Sequence, residues 1–171
     1  MCRKMKNSIQ LRPWQKQDAQ VLATIANNRK VWNNVRDQLP NPYSVMDALQ
    51  WMNHIKDHQP EQNFAIIYNG VVAGNIGCKL QEDVYRKSIE IGYFVGEEFW
   101  GKGIATIAIG LYVEYLIKTF HPNRIYAEVF EYNKASMKVL QKNGFFLESI
   151  RRKAAIKNNE IIDDYVWVKL V

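Results

Sequence analysis

The stretch from Ile89 to Ala105, IEIGYFVGEEFWGKGIA, constrains this chain more than any other. An apolar, strand-like run enters a glycine-punctuated loop, and the loop opens a long amphipathic helix. A helix start leaves backbone N–H groups without acceptors and carries the positive end of the helix dipole, so such a bend cradles an anion. Gly101 and Gly103 remove the Cβ atoms that would hold a phosphate at a distance. This is not the Lys-Ser/Thr nucleotide loop, because no hydroxyl residue follows Gly101-Lys102. It is not G-x-G-x-x-G either, because position 106 is Thr106. The alternative reading is a glycine-containing turn before an ordinary helix.

The rest of the chain alternates strands and helices. Ile9 to Arg12 reads as a short strand, and Asp18 to Asn27 as a helix with Val21, Leu22 and Ile25 on one face. Two prolines make Leu39 to Tyr43 a rigid loop. Ser44 then opens a helix, with Asp47 as its capping-box partner and Val45, Ala48, Leu49, Met52 and Ile55 as its apolar face. Phe64 to Tyr68 and Val71 to Leu80 form a hairpin through Asn69-Gly70. Strands at Ser88 to Val95 and Arg124 to Phe130 flank a helix from Ile104 to Thr119. A helix from Lys134 to Asn143 follows, N-capped by Asn133 and stopped by Gly144. The last strands run from Phe145 to Lys157 and Ile161 to Leu170, with Asn158-Asn159 at the turn. Strand, helix, strand over 88–130 predicts a parallel pair. Hairpins on either side add antiparallel neighbours, so the expected fold is an α/β (α+β) mixed sheet flanked by helices. Ligands in such sheets sit beyond the carboxyl ends of the strands, which predicts that Val95–Gly103 and Phe130–Ser136 share an edge.

A chain of 171 residues, 47% hydrophobic and 23% charged, reads as one globular domain over 1–171. No apolar run approaches the ~18 residues of a membrane span, and the basic start MCRKMKNSIQL leads into no secretory apolar segment. Cys2 and Cys78 do not suggest a disulfide framework, which points to the reducing cytoplasm. The net charge of +6 favours anionic partners, a phosphorylated cofactor or RNA among them. His54 and His58 share a helix face, but neither H-E-x-x-H nor a third ligand accompanies them, so no metal is expected. Cys78 sits mid-strand, and no nucleophile–base pair is evident.

Four segments carry a family resemblance. Trp100-Gly101-Lys102-Gly103-Ile104-Ala105 resembles the acetyl-CoA loop Q/R-x-x-G-x-G/A of the GNAT N-acetyltransferase superfamily, with Trp at the first position as in its RimJ/RimL-like branch. EIGYFV resembles the strand before that loop. Asn133 to Phe145 resembles the branch's N-x-x-S…x-G-F segment. The early NNRKVWNNVRDQLPNPYS and the late Lys157…Asp163 also resemble this branch. The resemblance covers nearly the whole chain, in order. It implies a mostly antiparallel sheet with a splayed parallel pair, and direct acetyl transfer from acetyl-CoA to an amine without a covalent enzyme intermediate.

On that resemblance, the backbone of Gly101, Lys102, Gly103, Ile104 and Ala105 holds the pyrophosphate, with Lys102 as an electrostatic helper. Phe94 and Val95 offer main-chain groups to the pantetheine arm as an added strand would. Asn133 is either a helix cap alone or also a contact to pantetheine or thioester. Ser136 is a hydrogen-bond donor for the departing thiolate, and Tyr132 is a further candidate acid. Glu90 is the first candidate base, with Glu128 and Glu131 as competitors. Asp163, beside Asp164, shapes the acceptor side. For each carboxylate the alternative is a solvated or salt-bridged residue. Arg36, Asp37, Tyr43 and Trp51 are acceptor-side candidates, with packing the alternative for Tyr43 and Trp51. The acceptor is a protein N-terminus, ribosomal proteins included, or a small amine, and the enzyme is a monomer or homodimer. Rival readings are a basic RNA- or ribosome-associated domain and a CoA-binding regulator without turnover. The densest basic run, Arg151-Arg152-Lys153, reads as a solvated face.

Overall fold

The structure, a computed structural model, describes residues 8–171. Cys2 and the basic start of the chain lie outside the described residues. Seven strands form one sheet in the order β1-β2-β3-β4-β5-β7-β6. They are β1 (Ile9–Pro13), β2 (Asn63–Tyr68), β3 (Val71–Leu80), β4 (Ser88–Val95), β5 (Arg124–Phe130), β6 (Phe146–Lys157) and β7 (Glu160–Leu170). The helices are α1 (Ala19–Ala26), α2 (Arg29–Trp32), α3 (Val45–Ile55), α4 (Ile104–Phe120) and α5 (Lys134–Lys142). β4 and β5 are parallel, while β1/β2, β2/β3, β5/β7 and β6/β7 are antiparallel. This is the mixed sheet the alternation of elements predicts. The parallel register covers Ser88–Glu90 against Arg124–Tyr126, whereas β5 pairs β7 from Arg124 through Phe130.

The chain divides into two compact units: residues through Gly77 with Tyr93–Ala108, and Cys78–Gly92 with Ile109–Val171. In the first, α1 buries Leu22, Ala23 and Ala26 against Tyr43, Ala48 and Met52. The Ser44 box forms as expected. Its Oγ accepts the Asp47 N–H at 3.2 Å, and the Ser44 N–H donates to Asp47 Oδ2 at 2.8 Å. Asn69 and Gly70 both take positive φ, +50° and +84°, which is the backbone a two-residue hairpin turn requires. A short 3-10 turn, Lys16–Asp18, precedes α1. There Asp18, 5% exposed, takes both Arg12 guanidinium nitrogens at 2.6 and 2.9 Å and the Gln15 N–H at 2.9 Å.

In the second unit β5 alternates buried Ile125, Ala127 and Val129 with half-buried Arg124, Tyr126, Glu128 and Phe130. Residues opposite one another across a ladder share a face. Glu128 and Phe130 therefore lie with Val166 and Asp164, while Ala127 and Val129 lie with Trp167 and Tyr165. The second of these faces is the one α5 covers. Lys134 Nζ sits 5.1 Å from the Tyr165 ring centroid, and Lys169 Nζ donates to Asn143 O at 3.0 Å.

β6 departs from the unbroken strand expected. Between Arg151↔Asp164 and Ala155↔Ile162 it spends more residues than β7 does, forming a bulge with Lys153 at φ +52°. Asp163 builds this bulge by accepting the Lys153 N–H at 2.8 Å and Arg152 Nη1 at 2.5 Å.

Candidate active site

The glycine loop lies in the first unit. β4 ends at Val95, and a 3-10 turn, Glu97–Phe99, leads to Trp100. Gly101 and Gly103 follow at φ +73° and +74°. Both therefore use the left-handed region that glycine enters without a Cβ penalty. A Cβ on Gly101 would meet nothing within 4 Å, so the space beside that residue is open. The first bond of the α4 ladder runs from the Ile107 N–H to Gly103 O at 3.3 Å. The Ile104 and Ala105 N–H groups thus have no helical acceptor, as at any helix start. Open space, left-handed glycines and N-terminal N–H groups fit a phosphate. Lys102, exposed, places its Nζ 5.5 Å from the Phe99 ring centroid.

Two contacts fix this loop. The Trp100 indole N–H donates to Val95 O at 2.7 Å, although the residue is 44% exposed. Glu97 accepts from Asn28 Nδ2 at 2.9 Å and from Lys30 Nζ. The Lys30 and Asn28 hydrogen bonds hold the Glu97 carboxyl below its usual range. A carboxylate beside an anion cradle would repel its ligand, and here Lys30 counters that charge.

The two β4 residues assigned to the pantetheine arm differ in orientation. A Cβ on Gly74 would stand 2.2 Å from Phe94 O, and the Gly96 N–H donates to Ala73 O at 2.9 Å. Phe94 and Gly96 thus turn their main-chain groups toward β3. Backbone groups alternate along a strand, so Val95 presents its own to the other side. The Phe94 carbonyl approaches Gly74 of β3, and the Val95 carbonyl accepts the Trp100 indole N–H at 2.7 Å.

The remaining candidates of the second unit cluster at the end of β5 and the start of α5. Asn133 caps α5, its Oδ1 accepting the Ser136 N–H at 3.1 Å. Ser136 is half-buried in the first turn, and Tyr132 is 45% exposed with its ring 5.9 Å from Phe130. Glu131 Oε1 accepts the Asp163 N–H at 3.2 Å, and the Glu131 N–H donates to Asp163 O at 3.1 Å. Glu131 therefore latches β5 to β7. Asp163 is held below the usual carboxylate range by the Lys153 N–H and by Arg152. Lys157 is 2% exposed. Glu90 is half-buried on β4 and in register with Tyr126.

The basic run is not a uniformly solvated face. Arg151 bridges Glu128, at 2.5 Å, and Asp164, and Arg152 pairs with Asp163. Only tertiary pairing reveals this, although the adjacent Asp163-Asp164 was a visible source of partners. Cys78 is half-buried, and burial pushes its thiol up to about 11 against the pull of a Tyr112 hydrogen bond, so it is no thiolate nucleophile at neutral pH. Tyr43, 5% exposed, belongs to the first unit's core, and burial and Asp47 push its phenol up to about 12. Trp51 meets Trp14 edge-on at 5.8 Å. Both aromatics pack, and Arg36 and Asp37 are exposed. His54 and His58 rings stand 5.7 Å apart. Among the described residues no three His, Cys, Asp or Glu side chains gather as metal ligands, and no helix is long and apolar enough to cross a membrane.

A parallel strand pair joined through a left-handed glycine loop and a crossover helix has the geometry to hold a phosphorylated co-substrate. Residues 8–146 match the acetyltransferase (GNAT) domain model, and the chain belongs to that family of acetyl-CoA-dependent acyltransferases. It is 29% identical over 123 residues to an uncharacterized N-acetyltransferase p20 of Bacillus licheniformis, covering 71% of this chain and 68% of that protein. It is 28% identical over 144 residues to spermidine N(1)-acetyltransferase of Escherichia coli, covering 83% and 75%. Among solved structures, the ribosomal L7/L12 alpha-N-protein acetyltransferase RimL in complex with coenzyme A superposes with a TM-score of 0.86 at 19% identity, covering 98% and 96%. The fold is thus that of the RimJ/RimL-like branch.

Proposed function

We propose that the protein moves acetyl from acetyl-CoA directly to a primary amine while both substrates are bound, using a single GNAT domain. The observation that carries this reading is the pair of left-handed glycines, Gly101 and Gly103, opening α4, with clear space where a Cβ on Gly101 would stand. The main chain of Gly101 through Ala105 holds the pyrophosphate, Lys102 adds a cation, and Trp100 fixes the loop to Val95. The Phe94 and Val95 main chains line the pantetheine arm. Acetyl-CoA, when bound, supplies an activated thioester acyl group.

Asn133 contacts the pantetheine or thioester while capping α5. Ser136 donates a hydrogen bond toward sulfur as negative charge develops there, and Tyr132 is the alternative donor. Glu90 takes the proton of the incoming ammonium, directly or through water. Arg36 and the Asp163 bulge shape the acceptor side. The acceptor is a small amine or a protein N-terminus, a ribosomal protein among the latter, as the names of the similar proteins suggest. The protonated state of Cys78 agrees with transfer that uses no acyl-enzyme.

The test is calorimetric titration with acetyl-CoA, then thiol release across a panel of amines and basic peptides. Binding with amine-dependent release is expected. Binding without release under any acceptor favours a CoA-binding regulator, and failure to bind removes the reading.

A further inference from the structure

The second unit gathers a set of charges on the sheet face opposite α5. Glu128 of β5 and Asp164 of β7 both bond the one guanidinium of Arg151 from β6. The two carboxylates of this face share one nitrogen of that guanidinium. Asp164 is 4% exposed, and its Oδ1 is enclosed without a hydrogen-bond partner while Oδ2 takes Arg151. An enclosed carboxylate oxygen without a donor is costly, because it has lost water and gained nothing in return. The cation is the most exposed member of the group: the Arg151 side chain is 45% exposed, against 18% for Glu128 and 6% for Asp164. The arrangement is a buried carboxylate, Asp164, and a half-buried one, Glu128, under a more exposed cation.

The same face carries Glu90, because the parallel register sets Glu90 beside Tyr126, and Glu128 lies two residues further along β5. Two residues of strand rise and one strand spacing separate Glu90 from Glu128 by about 8 Å. That is the scale of an aliphatic diamine.

We propose that the Glu128–Asp164 pair binds a second, non-reacting ammonium of the acceptor, displacing or sharing the place of Arg151, and so selects amines that carry an additional positive charge. This rests on the acetyltransferase reading and adds the substrate class to it. It distinguishes the pair from a structural latch by sign. If the pair is a latch, removing Arg151 harms the protein or affects all acceptors alike. If it is a cation site, removing Arg151 removes a competitor and improves only the dicationic acceptor.

The experiment compares 1,5-diaminopentane with 1-aminopentane, which differ by one ammonium. Calorimetric Kd and steady-state KM are measured for the wild type, E128Q and R151M. In the wild type the diamine is expected to bind about tenfold more tightly than the monoamine. In E128Q the ratio of monoamine to diamine Kd is expected to fall about tenfold, a ratio from which any loss common to both amines cancels. In R151M the diamine KM is expected to fall while the monoamine KM holds. E128Q carries the test if R151M does not fold. Equal handling of the two amines by the wild type, or an E128Q effect common to both, overturns the proposal and leaves the acetyltransferase reading standing if 1-aminopentane is acetylated. Absence of acetyl-CoA binding removes the reading beneath it, and the proposal with it.

Discussion

Gly101 offers a way to separate what the loop needs to fold from what it needs to bind. At φ +73°, an alanine there takes a left-handed conformation that costs about 1–2 kcal/mol. For a chain of this size each kcal/mol moves Tm by roughly 2–4 °C, so Gly101→Ala is expected to lower Tm by about 2–8 °C. Nothing lies within 4 Å of the added methyl, so the folded protein suffers no clash. A phosphate closing on the loop N–H groups does meet it. Weakening one hydrogen bond to a charged group costs about 1.5–3 kcal/mol, or roughly 10- to 100-fold in acetyl-CoA Kd. Gly101→Asn keeps the Cβ but enters the left-handed region more readily, so most of the Tm is expected to return while Kd stays weak. Thermal melts and calorimetric titration read the two effects separately. Variants that lose Tm but keep wild-type Kd would refute the cradle and leave Gly101 as a turn residue only.

Ser136→Ala is expected to lower kcat more than it weakens acetyl-CoA binding. An unchanged kcat in stopped-time thiol release moves the donor role to Tyr132. Ser44→Ala removes the cap of α3 and is expected to cost about 1 kcal/mol, roughly 2–4 °C in Tm by differential scanning calorimetry. At Asp18, burial pushes the carboxyl up, but the Arg12 pair and the Gln15 N–H outweigh it, and the net shift is downward. A carboxyl lowered in the folded state contributes stability that is present above its unfolded pKa, about 3.9, and lost as pH falls through its folded value. The stability gap between wild type and Asp18→Asn in denaturant melts is therefore expected to narrow below about pH 4. A gap that is constant with pH argues against the ion pair as its source.

The legible parts were those set by neighbours in sequence. Asn69-Gly70 dictates its hairpin because both positions need positive φ, and Ser44 with Asp47 closes a cap within four residues. The glycine loop is read the same way, since its conformation and its orphan N–H groups belong to the backbone of one short segment. The order of strands and helices then leads to a mixed sheet with one parallel pair. What the sequence left open depends on partners distant along the chain. Which side of β4 the Phe94 and Val95 main chains face is set by the close approach of Gly74 on β3. Tyr43 is buried because residues of α1 and α3 pack around it. Arg151 and Arg152 look like surface charge until β5 and β7 bring Glu128, Asp164 and Asp163 beside them. Local hydrogen bonding determined the elements and the glycine loop, whereas burial and charge pairing, which exist only once distant strands meet, decided which side chains pack and which are paired.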